Sequence, residues 1–434
     1  MTAPVAARTG SLWRDRDFRT FWSAQGVSEI GDRVTELALP LVAVTMLGAS
    51  PTEVGLLTAA VWLPNLASLF IGTWVDQWRR KRALMVGADL FRAGVLLSLP
   101  VAYWLDALTL PQLYAIALLT GTAHVVFNTA YAAFFVRLVS RADYLEANGK
   151  LSSTRSISFI GGPAVGGLLI QWLTVPVAIL VDAVSFLFSA FQLRRLTTSD
   201  VVFDAAGEPM LRRAKAGMVY MLRHPYLRAS LACATTVNFF TFMGSALLVL
   251  FASRNLDLSA GTIGLAFGVG ATGGLLGALM APRLARRLGA GRVIAFGSVV
   301  FPAAIAIVAL AAGPVGLRAA TLAGAEFVSG FAVMCFDVPL NSLQAAVTPD
   351  EMRSRVAGAF SSINYGIRPL GAIIGGLLGS WIGVRHTLLI AAAGGTLSVL
   401  WLVKSPIIAV RRMEALEPVA QFAVKPVDEA SGRR

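Results

Sequence analysis

The chain predicts an all-α integral membrane fold of twelve transmembrane helices in two six-helix halves. Three observations lead there. The composition is 56% hydrophobic with only 14% charged residues and a mean hydropathy of +0.69, whereas soluble domains carry about one quarter charged residues. Apolar stretches of about 20 residues recur along the chain. Basic residues alternate from loop to loop. Twelve such stretches leave room in 434 residues for short loops, a central linker and a tail.

In order, the apolar windows place spans near 20–47, 54–75, 83–105, 112–138, 151–172, 175–196, 229–252, 260–282, 292–312, 318–345, 357–382 and 386–404. The stretch after the basic N-tail has no clear small-residue cleavage site, so the first helix is expected to stay. Arg14, Arg16 and Arg19 precede span one, Arg79, Arg80, Lys81 and Arg82 follow span two, and Arg137, Arg141 and Lys150 follow span four. Further clusters follow spans six, eight and ten, while the opposite loops hold only Arg254, Arg318 and Arg385. The positive-inside rule then makes both termini cytoplasmic in a multi-pass protein of the cell membrane. Topology and contact with the anionic lipid bilayer account for the net charge of +13, so nucleic acid is not expected as a partner.

The domain plan is an N-terminal bundle over 1–196, a cytoplasmic linker over 197–228, a C-terminal bundle over 229–404 and a cytoplasmic tail over 405–434. Gly217–His224 in the linker reads as an amphipathic interfacial helix. An internal repeat supports the division: Gly162-Pro-Ala-Val-Gly-Gly-Leu-Leu169 in span five matches Gly371-Ala-Ile-Ile-Gly-Gly-Leu-Leu378 in span eleven, and Ser152-Ser153 matches Ser361-Ser362 at the same offset. Asn128 and Asp337 also occupy equivalent positions.

Chemistry has few places to reside. There is no phosphate-binding G-x-x-x-x-G-K-[ST] loop, His124, His224 and His386 are scattered, and Cys233 and Cys335 lie in apolar segments as packing residues. An enzyme, a cofactor and a metal site are therefore not expected; energy would come from an ion gradient acting on an intramembrane carboxylate. Span one supplies such groups: Glu29, Asp32, Arg33 and Glu36 fall at i, i+3, i+4 and i+7 on one helical face. Each unpaired charge costs about 2.5–3.5 kcal/mol at the bilayer centre, so this face lines a wet cavity or pairs with itself. An Arg33 pair with Glu29 or Glu36 could simply fix packing. It would still leave carboxylate charge unbalanced, which favours proton exchange, with Asp32 and Glu36 as the deepest candidates.

His124, Asn128 and Tyr131 in span four, Asn238 in span seven, and Glu326 and Asp337 in span ten could complete a substrate cavity. His124 also reads as a hydrogen-bonded core residue. Trp62, Phe239, Phe240 and Phe242 could line an apolar pocket or face lipid. Glycines in spans eight and eleven form small-x-x-x-small faces for close helix approach, and Gly162-Pro163 permits a bend in span five, a candidate gate hinge.

Four segments carry a resemblance to the major facilitator superfamily, in particular its twelve-span drug and siderophore exporters of the macrolide-efflux and enterobactin-exporter kind. Gly72-Thr-Trp-Val-Asp76-Gln-Trp-Arg79-Arg80-Lys81-Arg82 resembles the family's loop-two motif, which implies gate roles for Gly72, Asp76, Arg79 and Arg80. Gly162-Pro163-x-x-Gly166-Gly167 resembles the span-five motif of the superfamily's antiporters, and Arg141–Asn148 and Val181–Leu187 also look like this exporter subgroup. The second-half loop reads Gly277-Ala-Leu-Met-Ala281-Pro-Arg283 and lacks the latch aspartate. Ala117 stands where many proton antiporters place an arginine in span four; Arg33, or Arg92 beside Asp89 in span three, is the replacement this chain offers. The resemblance implies a monomeric, proton-coupled exporter of a small amphipathic molecule such as a drug, antibiotic or siderophore. Uptake or facilitated diffusion by the same fold is the alternative, and a non-transporting sensor a distant one.

Overall fold

A computed structural model describes residues 12–140, 143–198 and 210–412. The tails over 1–11 and 413–434, the linker stretch 199–209 and Arg141 lie outside the described residues, as do the side chains of Asp76, Arg212 and Arg213. Span one is Arg16–Leu41, prolonged past Pro40 by a π turn over Val42–Met46, and span two is Pro51–Trp62, a 3-10 turn Leu63–Ala67 and Ser68–Gln77. Spans three to six are Lys81–Trp104, Leu110–Leu138, Tyr144–Leu173 and Val175–Arg194. Spans seven to ten are Pro225–Arg254, Ala260–Leu288, Ala290–Ala309 and Val315–Val347. Span eleven is broken into Asp350–Gly366 and Arg368–Trp381, and span twelve into Val384–Thr396 and Val399–Val403.

Among the described residues, nine helices are long and apolar enough to cross a membrane. The three remaining spans, one, two and eleven, each carry a cluster of charges or a break. Span one holds Glu29, Asp32, Arg33 and Glu36; span two is interrupted at Pro64, whose ring removes a backbone donor. Span eleven is interrupted at Ile367, beside Pro369. Span five, where the sequence suggested a bend at Gly162-Pro163, is one continuous helix through Pro163.

The repeat extends well beyond its motif. In the register set by Gly162 and Gly371, Ser50 and Ser259 both cap the helices that follow them, each accepting a backbone N–H at 3.3 Å. Thr174 and Gly383 both turn the chain at positive φ (81° and 91°) between the last two spans of their halves. Gly162 and Gly166 press on Arg33 and Val34 of span one, as Gly371 and Gly375 press on Phe239 and Met243 of span seven. Gly167 meets Gly264 of span eight, as Gly376 meets Gly55 of span two: a Cβ on Gly167 would lie 2.9 Å from the Gly264 Cα, and one on Gly376 3.0 Å from the Gly55 Cα. The small residues therefore serve two contacts, one inside each half and one between halves.

The two ends of the molecule are packed differently. At the arginine-poor end a single apolar core runs through both halves, from Leu37, Val42 and Val54 to Leu247, Phe251 and Ile263. Thr52 and Ser380 hydroxyls lie 2.7 Å apart there, and Arg254 donates to the Val44 carbonyl at 2.8 Å. At the arginine-rich end the cores are separate, one around Phe21, Phe134 and Phe135 and another around Phe336, Leu340 and Ile407. Asp17 in the first turn of span one accepts hydrogen bonds from Thr197 and Thr198, 2.8–3.2 Å long, and ties the start of the first half to its exit.

The linker helix corrects the sequence expectation. It begins at Met210 rather than Gly217, and span seven begins at Pro225 rather than 229, because proline suits a first helical turn. Part of its apolar face packs on the protein, while Leu222 stays exposed. Tyr220 and Met221 are buried against Leu227, Val347, Val356 and Ala359, and Gly217 abuts the Arg355 carbonyl at the start of span eleven.

Candidate functional site

The charged face of span one meets spans three and five, and every one of its charges finds a partner. Arg33 donates to Glu36 at 2.7 Å, one turn along the helix. Glu29 accepts from Arg155 Nε of span five and from Gln25, both at 3.0 Å. Asp32 pairs with Arg92 of span three. The two carboxylates that Arg33 leaves unpaired, Glu29 and Asp32, are thus each compensated by an arginine from another helix, Arg155 and Arg92. Glu36, expected to be among the deepest, is 63% exposed, against 30% for Asp32.

The buried part of the network lies behind Asp32. Arg92 is 5% exposed and Asp89 is fully buried, with the Arg92 Nη1 3.9 Å from Asp89 Oδ1. Among the described residues neither Asp89 oxygen has a hydrogen-bond partner, although the Ser189 hydroxyl lies close enough to act on it. The Arg92 guanidinium also lies over the Phe186 ring of span six, 3.8 Å from its centroid. Beside it, buried Asp182 accepts from Thr35 and, at 3.0 Å, from Ser185. Gly31 exists to let Asp182 in, since a Cβ there would collide with its carboxylate. One guanidinium therefore serves two carboxylates, with a third, Asp182, hydrogen-bonded to two hydroxyls and within electrostatic reach of the same guanidinium.

The C-terminal half builds a different site at the equivalent positions. Asn238 and Asn364 stand where Glu29 and Arg155 stand, and are joined by an amide hydrogen bond of 3.0 Å instead of an ion pair. Arg33 lies over Phe159, 5.1 Å from the centroid; in the other half the partners are exchanged, with Phe242 in span seven and Arg368 in span eleven, 4.5 Å apart. The Arg368 guanidinium is also 4.3 Å from the Tyr365 centroid and 4.3 Å from that of Trp62, which comes from the first half. Its Nε donates to Asn238 Oδ1 at 2.9 Å.

The other expected cavity residues divide between these two sites and the helix packing around them. His124 and Asn128 bond to each other at 2.7 Å with side chains open to solvent, and His124 lies within electrostatic reach of Arg92, Asp32, Arg33 and Arg155. Tyr131 stacks on Phe21, at 5.1 Å, and on Phe135 within the core of the first half; its ring is a packing element. Phe239 packs edge-on against Phe240 at 5.1 Å. Glu326 sits beside Gly270 where spans eight and ten touch, and Asp337 lies within electrostatic reach of Arg368. Gly72 is buried, while Arg79 and Arg80 are exposed at the arginine-rich end. Gly162, Pro163, Gly166 and Gly167 belong to the helix contacts described above rather than to a break. Arg155, Arg368 and Asp182 were missed as site residues. An arginine within an apolar stretch is a costly residue, and that signal was available for Arg368.

Comparison with known proteins agrees with this architecture. Residues 9–434 match the transmembrane secretion effector family. The chain is 27% identical over 375 residues to the multidrug efflux pump Tap of Mycolicibacterium fortuitum, covering 83% of this chain and 88% of the pump. It is 26% identical over 417 residues to the macrolide efflux protein A of Streptococcus pyogenes, covering 90% and 95%. Among solved structures, the inward-facing state of a bacterial homologue of the iron transporter ferroportin superposes with a TM-score of 0.71 at 16% identity, over 90% of this chain and 98% of that one. The outward-facing state of the same homologue gives 0.56. With twelve helices in two related halves, a charged face turned into the protein and this match over nearly its whole length, the chain belongs to the transmembrane secretion effector family of major facilitator transporters.

Proposed function

We propose that this transporter exports a small amphipathic molecule from the cell in exchange for protons, by rocking its two halves about a midplane cavity. The observation that carries the proton exchange is the sharing of Arg92 between Asp32 and Asp89. Two carboxylates and one guanidinium retain a net negative charge, and a proton taken up by either acid leaves Arg92 to the other. Asp32 is part-exposed, so it is the entry point; Asp89 is the buried end of the same relay. Arg33 and Glu36 form a second, more open pair next to it.

The loop charges support a cytoplasmic arginine-rich end, with both termini on that side of the cell membrane. The state described here is then sealed outside and open to the cytoplasm, the state in which an exporter loads. Exposed Arg79 and Arg80, with Asp76, fit a latch that closes the cytoplasmic end only after the halves rock. The names of the relatives, a multidrug pump and a macrolide efflux protein, support a drug-like cargo.

Flux of a macrolide and a dye panel into inverted membrane vesicles, with and without a pH gradient, tests the reading. Flux should follow the gradient, and Asp32→Asn should abolish the coupling, with Asp89→Asn and Glu36→Gln weakening it. Flux indifferent to both gradient and variants would leave a facilitative carrier.

A further inference from the structure

The two halves do not neutralise their arginines in the same way. Arg33, Arg92 and Arg155 of the first half each have a carboxylate within 4.0 Å. Arg368 has none among the described residues. Its equivalent region has lost its acids: Glu29 is replaced by Asn238 and Glu36 by Ser245. What holds Arg368 is neutral, namely three aromatic faces and one amide oxygen. Asp337 is felt only at longer range.

This arrangement fixes the plane of the guanidinium while leaving its fork unused. Of five N–H donors, only the one on Nε makes a hydrogen bond among the described residues. The terminal nitrogens are absent from the sealed, unpaired polar atoms of the interior, so they remain accessible to something that enters. A pre-oriented guanidinium with two free terminal nitrogens matches a planar oxyanion by paired hydrogen bonds. The rings beside it supply faces for an apolar or aromatic body.

We infer that Arg368 is the head-group receptor of the cargo site, and that the preferred cargo carries a carboxylate or similar oxyanion on an aromatic or apolar body. This deepens the export reading and rests on it. Trp62 comes from the first half while Phe242, Tyr365 and Arg368 come from the second, so the site is complete only in a state where these spans meet. That is the state described here, with its open end at the arginine-rich loops. When the halves rock, Trp62 leaves the cluster and the head group loses one wall of its site.

The test uses the purified full-length protein and two fluorescent probes with one body, 1-pyrenebutyrate and the trimethylammonium compound of the same chain length, titrated by anisotropy. The carboxylate should bind wild type about tenfold or more tightly than the ammonium, as a hydrogen-bonded charge implies. Arg368→Gln should remove that preference, Arg368→Lys should retain part of it, and Trp62→Leu should weaken both probes alike. Equal binding of the two probes to wild type, which needs no variant to fold, overturns the inference, as does a preference that survives Arg368→Gln. Vesicle flux remains a separate measurement: absence of energised flux with the carboxylate preference intact would sink the export reading and leave the binding site standing.

Discussion

Arg92 of span three reaches across to Asp32 of span one while its guanidinium lies over the Phe186 ring of span six, 3.8 Å from the centroid. Three helices of the first half are therefore joined at one side chain. The same guanidinium is the nearest compensation for buried Asp89.

Removing it should be costly for a stated reason. Arg92→Met leaves two carboxylates uncompensated and is expected to destabilise the protein by about 3–5 kcal/mol, the cost of breaking a buried pair. Adding Asp89→Asn should restore a large part of the loss, because one of the stranded charges is gone. Thermal unfolding of the purified single and double variants checks this; additive losses would mean that Arg92 and Asp89 do not interact.

The seal at the arginine-poor end offers a direct test of rocking. Thr52 and Ser380 oxygens are 2.7 Å apart across the halves, and the native cysteines, Cys233 and Cys335, are both buried. The Thr52→Cys, Ser380→Cys protein should cross-link under mild oxidation, lose vesicle flux and recover it with reductant. Full flux in the cross-linked protein would exclude separation of these ends during the cycle.

Two adjacent glycines distinguish a helix contact from a hinge. A Cβ on Gly162 would meet the Arg33 stem 2.6 Å away, whereas one on Gly161 meets nothing within 4 Å. Gly162→Ala should lower flux by about tenfold through displacement of Arg33, an effect of about 1.4 kcal/mol. Gly161→Ala should leave it near wild type. Equal impairment by both would restore a bending role for this segment.

Acid should loosen the linker. His224, outside the spans, is fully buried between Tyr220 and Tyr226 at 5.8 and 5.9 Å, and burial holds its imidazole below the ordinary value of 6.5. The folded form thus favours the neutral ring. Docking strength is full above about pH 6.5 and declines as the pH falls from there toward the depressed folded value, because protons bind the undocked form better. The protection of the Met210–Arg223 amides, taken relative to their intrinsic exchange rate at each pH, should fall as the pH drops below about 6.5. His224→Phe should flatten that dependence.

Much of the architecture was legible because it answers to the bilayer, which acts on each segment alone. Span length, apolar content and the alternation of basic loops are local properties, and the Gly162 and Gly371 motifs announced the repeat because close helix approach demands small side chains wherever it occurs. The charged face of span one was also readable, as its residues share a helix.

The tertiary structure decided which charges are satisfied. Arg92 and Arg155 compensate span one from other helices, Glu36 proves open and Asp89 buried, and Trp62 meets Arg368 although 306 positions (368 − 62) separate them. Pairing depends on distances between helices, and those are set by how both halves pack, an outcome that no single segment encodes.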